Sequence, residues 1–382
     1  MNCTQPNIQK NISSKLLNFV AELENNYNGP TLVFDLALLR KRLNLLLSLE
    51  KEYNCHFIMP VKSFRHPLIY QVVSEYISGF DISNFHEYEY LPDNLENKLV
   101  SLTDPGFDGY ELQQFLSKKN HLTVHIETLE QYARLQRQET TVNFGVRLNS
   151  LLILDEYNSQ DKTPYRSRFG APPLDINLLQ KITEPGRHKF VGFHIHNGAS
   201  ENSSDVFLKF AQAVMFIAEI LGINLRHIDL GGGFLNVGFQ SLEKLIQQLR
   251  SFVTADIKLI FEPGDLLFSG TGFACGMVKS RKLDSKGCIY TLDISKECHL
   301  RWSDPKLLYN RQTSDKKINA SFYGPTCYEG DLLGSFDVYL SSDNLLPYQE
   351  GDLVLFSNIS AYSVSWNTSF NGIQTAQVEF LE

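Results

Sequence analysis

The chain has 382 residues, a formal net charge of −8 and 43% hydrophobic residues. This is enough sequence for two domains of ordinary globular composition. The negative charge and the lack of a basic stripe argue against nucleic-acid binding. The six cysteines include no C-x-x-C pair, so we expect a reducing, cytoplasmic location without a disulfide framework. We expect no secretory signal and no membrane span, because no apolar run approaches about 18 residues.

The first predicted element is the short strand Thr31–Phe34, within an N-terminal segment 1–34. Strand-like and helical patterns then alternate over residues 35–265. The predicted strands are His56–Val61, Gly79–Ser83, Lys98–Thr103, His121–Ile126, Val142–Leu148, Lys189–His196, Arg226–Leu230 and Lys258–Glu262. The clearest predicted helices are Leu36–Leu49, Pro67–Ser78, Gly109–Lys118, Leu129–Gln136, Asp205–Leu221 and Ser241–Val253. Eight strands, most of them followed by a helix, predict an α/β protein with a closed (β/α)8 barrel, which fits better than an open doubly wound sheet.

The character of the sequence changes after this region. Residues 266–382 lack long helical periodicity and contain strand-like segments separated by turns, among them Gly287–Ile294, Phe336–Leu340 and Asp352–Asn358. We therefore predict a second, β-rich domain, which the N-terminal strand Thr31–Phe34 joins.

Residue types that can take part in catalysis or ligand binding follow six of the predicted barrel strands. They lie at the C-terminal strand ends, where (β/α)8 barrels carry their chemistry, and they are Lys62, Asp81, Arg147, His196, the glycines Gly231, Gly232 and Gly233, and Glu262. Chance alone predicts one or two such residues at this end. The set therefore indicates one site.

Each of these residues has a use in binding pyridoxal phosphate (PLP). A desolvated lysine can form a Schiff base with an aldehyde, which makes Lys62 the candidate for binding the aldehyde of PLP. The glycine backbone N–H groups can surround a phosphate. Glu262 can keep the pyridine nitrogen protonated, as decarboxylation requires, and His196 can stack on the ring. We expect Asp81 and Arg147 to form an ion pair, either below the cofactor or as a structural bridge across the barrel mouth.

The sequence gives less support for a metal site in the same region. His194 and His196 are spaced as a possible ligand pair, but the sequence shows no third ligand at a sensible spacing. We therefore predict no metal ion.

The C-terminal domain adds two candidates. The turn from Gly324 to Asp331 carries Cys327, which either supplies a proton or is an inert buried cysteine. Tyr362 either donates its hydroxyl to the phosphate or is a core aromatic residue.

These residues occur in motifs, and the motif order resembles that of the PLP-dependent decarboxylases of the alanine-racemase-like fold (fold type III). The resemblance runs from about Thr31 to Gly372. The similar segments are Lys62-Ser63-Phe64, Asp81-Ile82-Ser83 with Glu87, His196-Asn197-Gly198-Ala199 with Ser200, Gly231-Gly232-Gly233-Phe234, Glu262-Pro263-Gly264, and Gly324 to Asp331. The resemblance implies PLP as cofactor and adds Ser200, Gly264 and Tyr362 to its binding residues.

Within this group the chain looks most similar to the carboxynorspermidine decarboxylases. It has Asp265 where other branches carry arginine, a segment from Ser295 to His299 of the S-x-x-x-H type, and the ending Phe370-Asn371-Gly372. The resemblance implies a homodimer with shared active sites, in which Cys327 serves the neighbouring chain. The implied substrate-binding residues are Asp265, His299, Glu329 and Asp331.

Two departures bear on the expected substrate. Ala199 replaces a phosphate-binding serine, so that contact depends on Ser200. Tyr328 follows the cysteine where ornithine and diaminopimelate enzymes place an acid. We therefore expect removal of the α-carboxylate from a 3-amino-3-carboxypropyl group, as in carboxynorspermidine or carboxyspermidine. The alternatives are tailoring of a peptide antibiotic or siderophore, an ornithine- or diaminopimelate-type decarboxylase and, more remotely, a racemase or a non-catalytic homologue.

Overall fold

The computed structural model describes residues 14–93, 95, 97–116, 122–154, 167–197, 203–283, 285–308, 316–341, 343 and 345–382. The chain forms two compact units. One spans Arg42–Leu267, and the other combines Phe268–Glu382 with the described residues up to Lys41. The boundaries expected from the sequence, 35–265 for the barrel and 266–382 with 1–34 for the second domain, stay predictions.

Eight parallel strands close the barrel of the first unit, as the sequence predicts. They are β2 (Cys55–Pro60), β3 (Gly79–Ile82), β4 (Leu99–Leu102), β5 (Leu122–Ile126), β6 (Asn143–Arg147), β7 (Lys189–His194), β8 (His227–Asp229) and β9 (Lys258–Phe261). Each pairs with the next in chain order, and β9 returns to β2. Most strand residues are buried on both faces, because helices cover the outside and side chains fill the inside.

The helices outside the strands begin and end at recognisable signals. They are α2 (Leu36–Tyr53), α3 (Pro67–Ser74), α4 (Phe85–Tyr88), α5 (Gly109–Leu116), α6 (Leu129–Gln136), α7 (Ser150–Ile153), α8 (Ile176–Thr183), α9 (Ser204–Leu221), α10 (Gly238–Arg250) and α11 (Gly264–Phe268). Thr128 caps α6 by accepting the Gln131 N–H at 3.2 Å. Gly222 ends α9 in the left-handed region at φ +62°.

A β-rich sheet forms the second unit, which confirms the predicted change of character. Its strands are β1 (Thr31–Asp35), β10 (Gly272–Leu283), β11 (Cys288–Leu292), β12 (Lys306–Leu308), β13 (Lys317–Tyr323), β14 (Leu332–Tyr339), β15 (Leu353–Ile359) and β16 (Gln377–Leu381). The order is β12-β15-β10-β11-β13-β14, and β1 pairs with β10 and β16. The N-terminal strand therefore joins this sheet as expected.

The core of this unit is aromatic. The rings of Tyr290 and Phe322 stack with centroids 5.0 Å apart, and Phe356 meets Phe322 edge-on at 5.8 Å. The helical elements are α1 (Ser14–Asn26), α12 (Tyr362–Ser365) and a 3₁₀ turn (Phe370–Gly372). Among the described helices of the whole chain, none combines the length and apolarity that crossing a membrane requires.

Candidate active site

Lys62 lies at the C-terminal mouth of the barrel, in the 3₁₀ turn Val61–Ser63 that follows β2. Its Nζ donates to Ser83 Oγ at 3.0 Å and lies 3.8 Å from Asp81 Oδ2. The side chain is 41% exposed. The expectation of a desolvated lysine is therefore wrong for this structure, because the Lys62 side chain is partly exposed and only Asp81 of its two partners is buried.

The carboxyl group of Asp81 lies below this lysine at the end of β3. It is buried, and Oδ1 has no hydrogen-bond partner among the described residues. Burial, followed by the negative charge of Glu262, raises the pKa of Asp81 well above its ordinary value, and the Lys62 ammonium partly offsets this. Ser83, which holds the amine, is itself fixed by its N–H bond to Glu87 Oε2 at 2.6 Å.

Glu262 follows β9 and is 2% exposed. Its Oε1 lies 3.5 Å from His194 Nε2, and its Oε2 lies 3.9 Å from His196 Nδ1. Burial raises the pKa of Glu262, while Lys62 and Arg147 lower it. The site thus holds a desolvated carboxyl group that a cationic partner would return to its charged form.

His196 is neutral at physiological pH. Its Nδ1 accepts the Gly232 N–H at 3.2 Å, which places the ring proton on Nε2. Burial, followed by the charges of Lys62 and Arg147, lowers the pKa of His196 to about 3. The ring remains 34% exposed, so one part of it is free to contact a ligand.

The glycine turn after β8 approaches its neighbours more closely than any other residue type permits. Gly231 has φ +58°, and a Cβ there would lie 2.7 Å from Ile195 O. A Cβ at Gly232 would lie 2.9 Å from His196 Cε1. Gly233 has φ +94°. The Gly231 N–H is held by Asp229 Oδ1 at 2.9 Å, so this buried carboxyl group shapes the turn.

Arg147 does not pair with Asp81. Its Nη1 bonds Glu127 Oε1 at 2.8 Å, and the second oxygen of Glu127 accepts the Gly170 N–H at 3.0 Å. The guanidinium lies over the Phe169 ring at 4.6 Å. The predicted Asp81–Arg147 ion pair is therefore wrong, because Glu127 on the neighbouring strand end satisfies the arginine first.

A column of histidines inside the barrel was not predicted from the sequence. His125 stacks on His194 with centroids 4.8 Å apart and meets His227 edge-on at 6.0 Å. Burial lowers the pKa of all three imidazoles, to about 4 for His227. A cavity of about 210 Å³ reaches His125, His227 and Asp229. Inward-facing polar residues on β5, β7 and β8 were the available signal.

His194, His196 and Glu262 also form a cluster that could hold a metal ion. Their donor atoms all lie within 4.8 Å of one another, so the structure supplies the third ligand that the sequence lacked. However, the Gly232 N–H already occupies His196 Nδ1. These residues are shared with the predicted cofactor site.

The second unit presents Cys327 on an exposed turn between β13 and β14, with the exposed Glu329 beside it. The reading of Cys327 as an inert buried cysteine is therefore wrong. Tyr362 is half-buried at the start of α12.

Asp331 and His299 do not fit direct substrate binding. Both are 0% exposed. The Asp331 carboxylate accepts bonds from Ser295, Lys296 and Thr326, and His299 Nδ1 accepts the Ser295 N–H at 3.1 Å. Their predicted contact with substrate is wrong because their polar atoms are turned into the protein.

Of the remaining predicted site residues, two lie within the described part of the chain and one lies outside it. Gly264 is buried and its N–H bonds Glu262 O at 2.9 Å, whereas Asp265 in the first turn of α11 is exposed. Ser200 lies outside the described residues.

The barrel residues fit a cofactor that carries an aldehyde, a ring nitrogen and a phosphate. An amine lies at the mouth, and buried carboxyl oxygens of Asp81 and Glu262 have no hydrogen-bond partner among the described residues. The glycine turn offers a cradle that a Cβ would fill. Fold and site together define a PLP enzyme built on a (β/α)8 barrel with a β-rich partner unit.

Comparison with known families identifies which class of PLP enzyme the chain belongs to. The model of the family described as pyridoxal-dependent decarboxylase, pyridoxal binding domain, matches residues 37–269. The chain belongs to this family, which makes it a PLP-dependent decarboxylase.

Individual relatives support the same family at low identity. A carboxynorspermidine/carboxyspermidine decarboxylase of Campylobacter jejuni is 23% identical, covering 92% of this chain and 93% of the relative. The structure is similar to a lysine/ornithine decarboxylase complexed with putrescine from Vibrio vulnificus, with TM-score 0.79, 18% identity and coverage of 97% and 99%. It is also similar to a carboxynorspermidine decarboxylase complexed with norspermidine from Campylobacter jejuni, with TM-score 0.71, 21% identity and coverage of 92% and 93%.

Proposed function

We propose that this decarboxylase acts on a substrate with a 3-amino-3-carboxypropyl group, such as carboxynorspermidine or carboxyspermidine, and leaves an aminopropyl group. The observation that carries this is the acidic residue Asp265, which is exposed directly after the buried Glu262-Pro263-Gly264 segment, while partial burial of its carboxyl group raises its pKa. An anionic group at this position suits a cationic polyamine tail. The relative with the matching activity in its name aligns over 92% of the chain, which supports the same assignment.

PLP, when bound, supplies an electron sink for the bond to the departing carboxylate. Lys62 is the residue that would bind the aldehyde, and Ser83 orients its amine through the 3.0 Å bond. Glu262 would hold a proton on the pyridine nitrogen. His196, whose pKa is lowered chiefly by burial and whose Nδ1 accepts the Gly232 N–H, would pack on the ring without adding charge.

The phosphate end is assigned to the glycine turn after β8. The N–H groups of Gly231 and Gly232 already donate to Asp229 Oδ1 at 2.9 Å and to His196 Nδ1 at 3.2 Å, which fixes the turn. The backbone donor assigned to the phosphate is therefore the Gly233 N–H. Ser200, Gly264 and Tyr362 complete the proposed binding set. Arg147 would act on the bound cofactor through its charge without touching Asp81, since Glu127 anchors the guanidinium. Asp81 would act through its contact with the Lys62 amine.

Proton return to the substrate Cα is assigned to Cys327. The thiol is exposed on its turn, so it is available to a site outside its own unit. We propose a homodimer in which Cys327 completes the site of the neighbouring chain. Exposed aromatic residues in the same unit support such an interface: Trp302 is 58% exposed, Tyr328 55% and Phe370 60%.

Glu262 argues against a racemase. A carboxylate beside the pyridine nitrogen favours full electron withdrawal, which suits decarboxylation better than reversible proton exchange at Cα.

The testing experiment is a mass-spectrometric assay of CO2 loss by the PLP-loaded protein. The panel contains carboxynorspermidine, carboxyspermidine, ornithine, lysine and meso-diaminopimelate, and Lys62→Ala protein is the matched inactive control. Turnover confined to the two carboxy-polyamines is the expected result. Preferred turnover of ornithine, lysine or diaminopimelate would refute the substrate assignment. A loaded protein that turns over none of the five would point to a larger appended substrate.

A further inference from the structure

The turn that carries Cys327 is closed at its base. It joins β13 to β14 and leaves Cys327 to Gly330 exposed. The Gly324 N–H donates to Asp331 O at 2.8 Å, and the Asp331 N–H donates to Tyr328 O at 3.0 Å. Cys327 therefore lies at the tip of a turn whose two ends are hydrogen-bonded to each other.

The buried carboxylate of Asp331 ties this tip to a second segment. Its Oδ2 accepts the N–H and the hydroxyl of Thr326, the residue before Cys327, at 3.2 and 2.6 Å. Its Oδ1 accepts the N–H groups of Lys296 and Glu297 at 2.7 and 3.3 Å. The hydroxyl of Ser295 lies 2.9 and 3.1 Å from the two oxygens.

The Asp331 carboxyl group is closely packed against Gly324. A Cβ at Gly324 would lie 2.2 Å from Asp331 Oδ2, so the carboxylate fills the space that a side chain would need. Asp331 itself is 0% exposed. The carboxyl group therefore has one available position, and its hydrogen bonds hold the turn and the Ser295–Glu297 segment together.

We propose that Asp331 is the positioning residue for Cys327, holding the thiol where it returns a proton to the substrate. This rests on the proposed proton-donor function of Cys327. When CO2 leaves, the electron pair stays at Cα. The Cys327 S–H bond breaks as the new C–H bond forms at Cα, and water then reprotonates the thiolate. With PLP bound, a misplaced thiol would leave Cα unprotonated, so that protonation of the cofactor and hydrolysis by water would give an aldehyde and aminated cofactor instead of the amine.

The test compares Asp331→Asn with Asp337→Asn, which makes the same change at an exposed residue of β14 on the same hairpin. An amide in place of the carboxylate turns one NH2 group toward backbone N–H donors and weakens the tie. Thr326→Val removes only the 2.6 Å hydroxyl bond, and it serves as the milder variant if Asp331→Asn fails to fold.

Two readouts are measured: the fraction of turnovers that end in aminated cofactor, and the rate at which iodoacetamide alkylates Cys327, followed by peptide mass spectrometry. The second needs no substrate. For Asp331→Asn and Thr326→Val we expect the aminated fraction to rise several-fold, towards that of Cys327→Ala, and the alkylation rate to change at least threefold. Asp337→Asn should match the wild type in both.

Folded Asp331→Asn and Thr326→Val proteins with wild-type partition and wild-type alkylation would overturn the positioning proposal. If only Cys327→Ala shifts the partition, the proton-donor function stands and the positioning function fails. If Cys327→Ala leaves the partition unchanged, the proton-donor function fails, and the positioning proposal fails with it.

Discussion

Substitution of Gly231 by alanine tests whether the glycine turn is a cofactor cradle. The residue has φ +58°, and its Cβ would lie 2.7 Å from Ile195 O and 2.8 Å from His196 Cα. The left-handed conformation costs a non-glycine residue about 1–2 kcal/mol. Overpacking against backbone atoms adds about 1–3 kcal/mol. The sum is a loss of about 2–5 kcal/mol in the free energy of unfolding, together with weaker binding of PLP because the turn must move.

Gly222→Ala is the matched control. Gly222 has φ +62°, but a Cβ there would meet nothing within 4 Å, so only the conformational cost of about 1–2 kcal/mol applies. Urea unfolding followed by circular dichroism measures the stability, and absorbance titration measures PLP affinity. We expect weaker PLP binding for Gly231→Ala only. Equal unfolding midpoints for both variants, together with wild-type PLP affinity, would refute the reasoning.

Four further predictions address other parts of the site. Lys62→Ala should remove the absorbance band of lysine-bound PLP, and a persistent band would exclude the lysine assignment. Burial raises the pKa of Asp229 well above its ordinary value, so its stabilising contribution is fully present below about pH 4 and is lost as the pH rises toward the folded-state pKa. Asp229→Asn should therefore lose less stability than the wild type as the pH rises above about pH 4 in urea titrations, and equal pH slopes would contradict this. Mixing inactive Lys62→Ala with Cys327→Ala, whose turnovers are diverted to aminated cofactor, should restore amine formation to up to about a quarter of the wild-type rate if the sites are shared between chains, whereas no restoration would argue against sharing. Asp265→Arg should shift the substrate ranking away from cationic tails, and an unchanged ranking would remove its proposed contact.

The barrel could be predicted from the sequence because its signal is local. Each strand is a short apolar run, and a helical pattern or a turn follows most of them, so chain order alone brings the strand ends to one face. The position of Lys62, the glycine turn and Glu262 at one mouth follows from that topology. The predicted β-rich unit rests on equally local turn and strand patterns.

The pairings within the site could not be predicted in the same way. Arg147 was expected beside Asp81, but Glu127, on the strand end next to it, lies closer to the guanidinium. The burial of Asp331 and His299 depends on how the turn after β13 packs on the segment around Ser295. Such choices between partners are decided by tertiary distances of a few ångströms, which motif spacing does not contain.

The site residues differ in burial: those expected to hold the cofactor lie inside the barrel, and those proposed to contact the substrate lie at the surface. Glu262, Asp81 and His194 are buried, and desolvation is the largest cause of the shifted pKa of each, which is typical of functional sites. Asp265, Cys327 and Tyr328 are exposed, and no neighbouring group in the described structure dictates what they contact. We expect substitutions at the exposed positions to change substrate recognition without disturbing the buried groups. One barrel can therefore serve several decarboxylases, and the substrate panel addresses what the buried residues leave open.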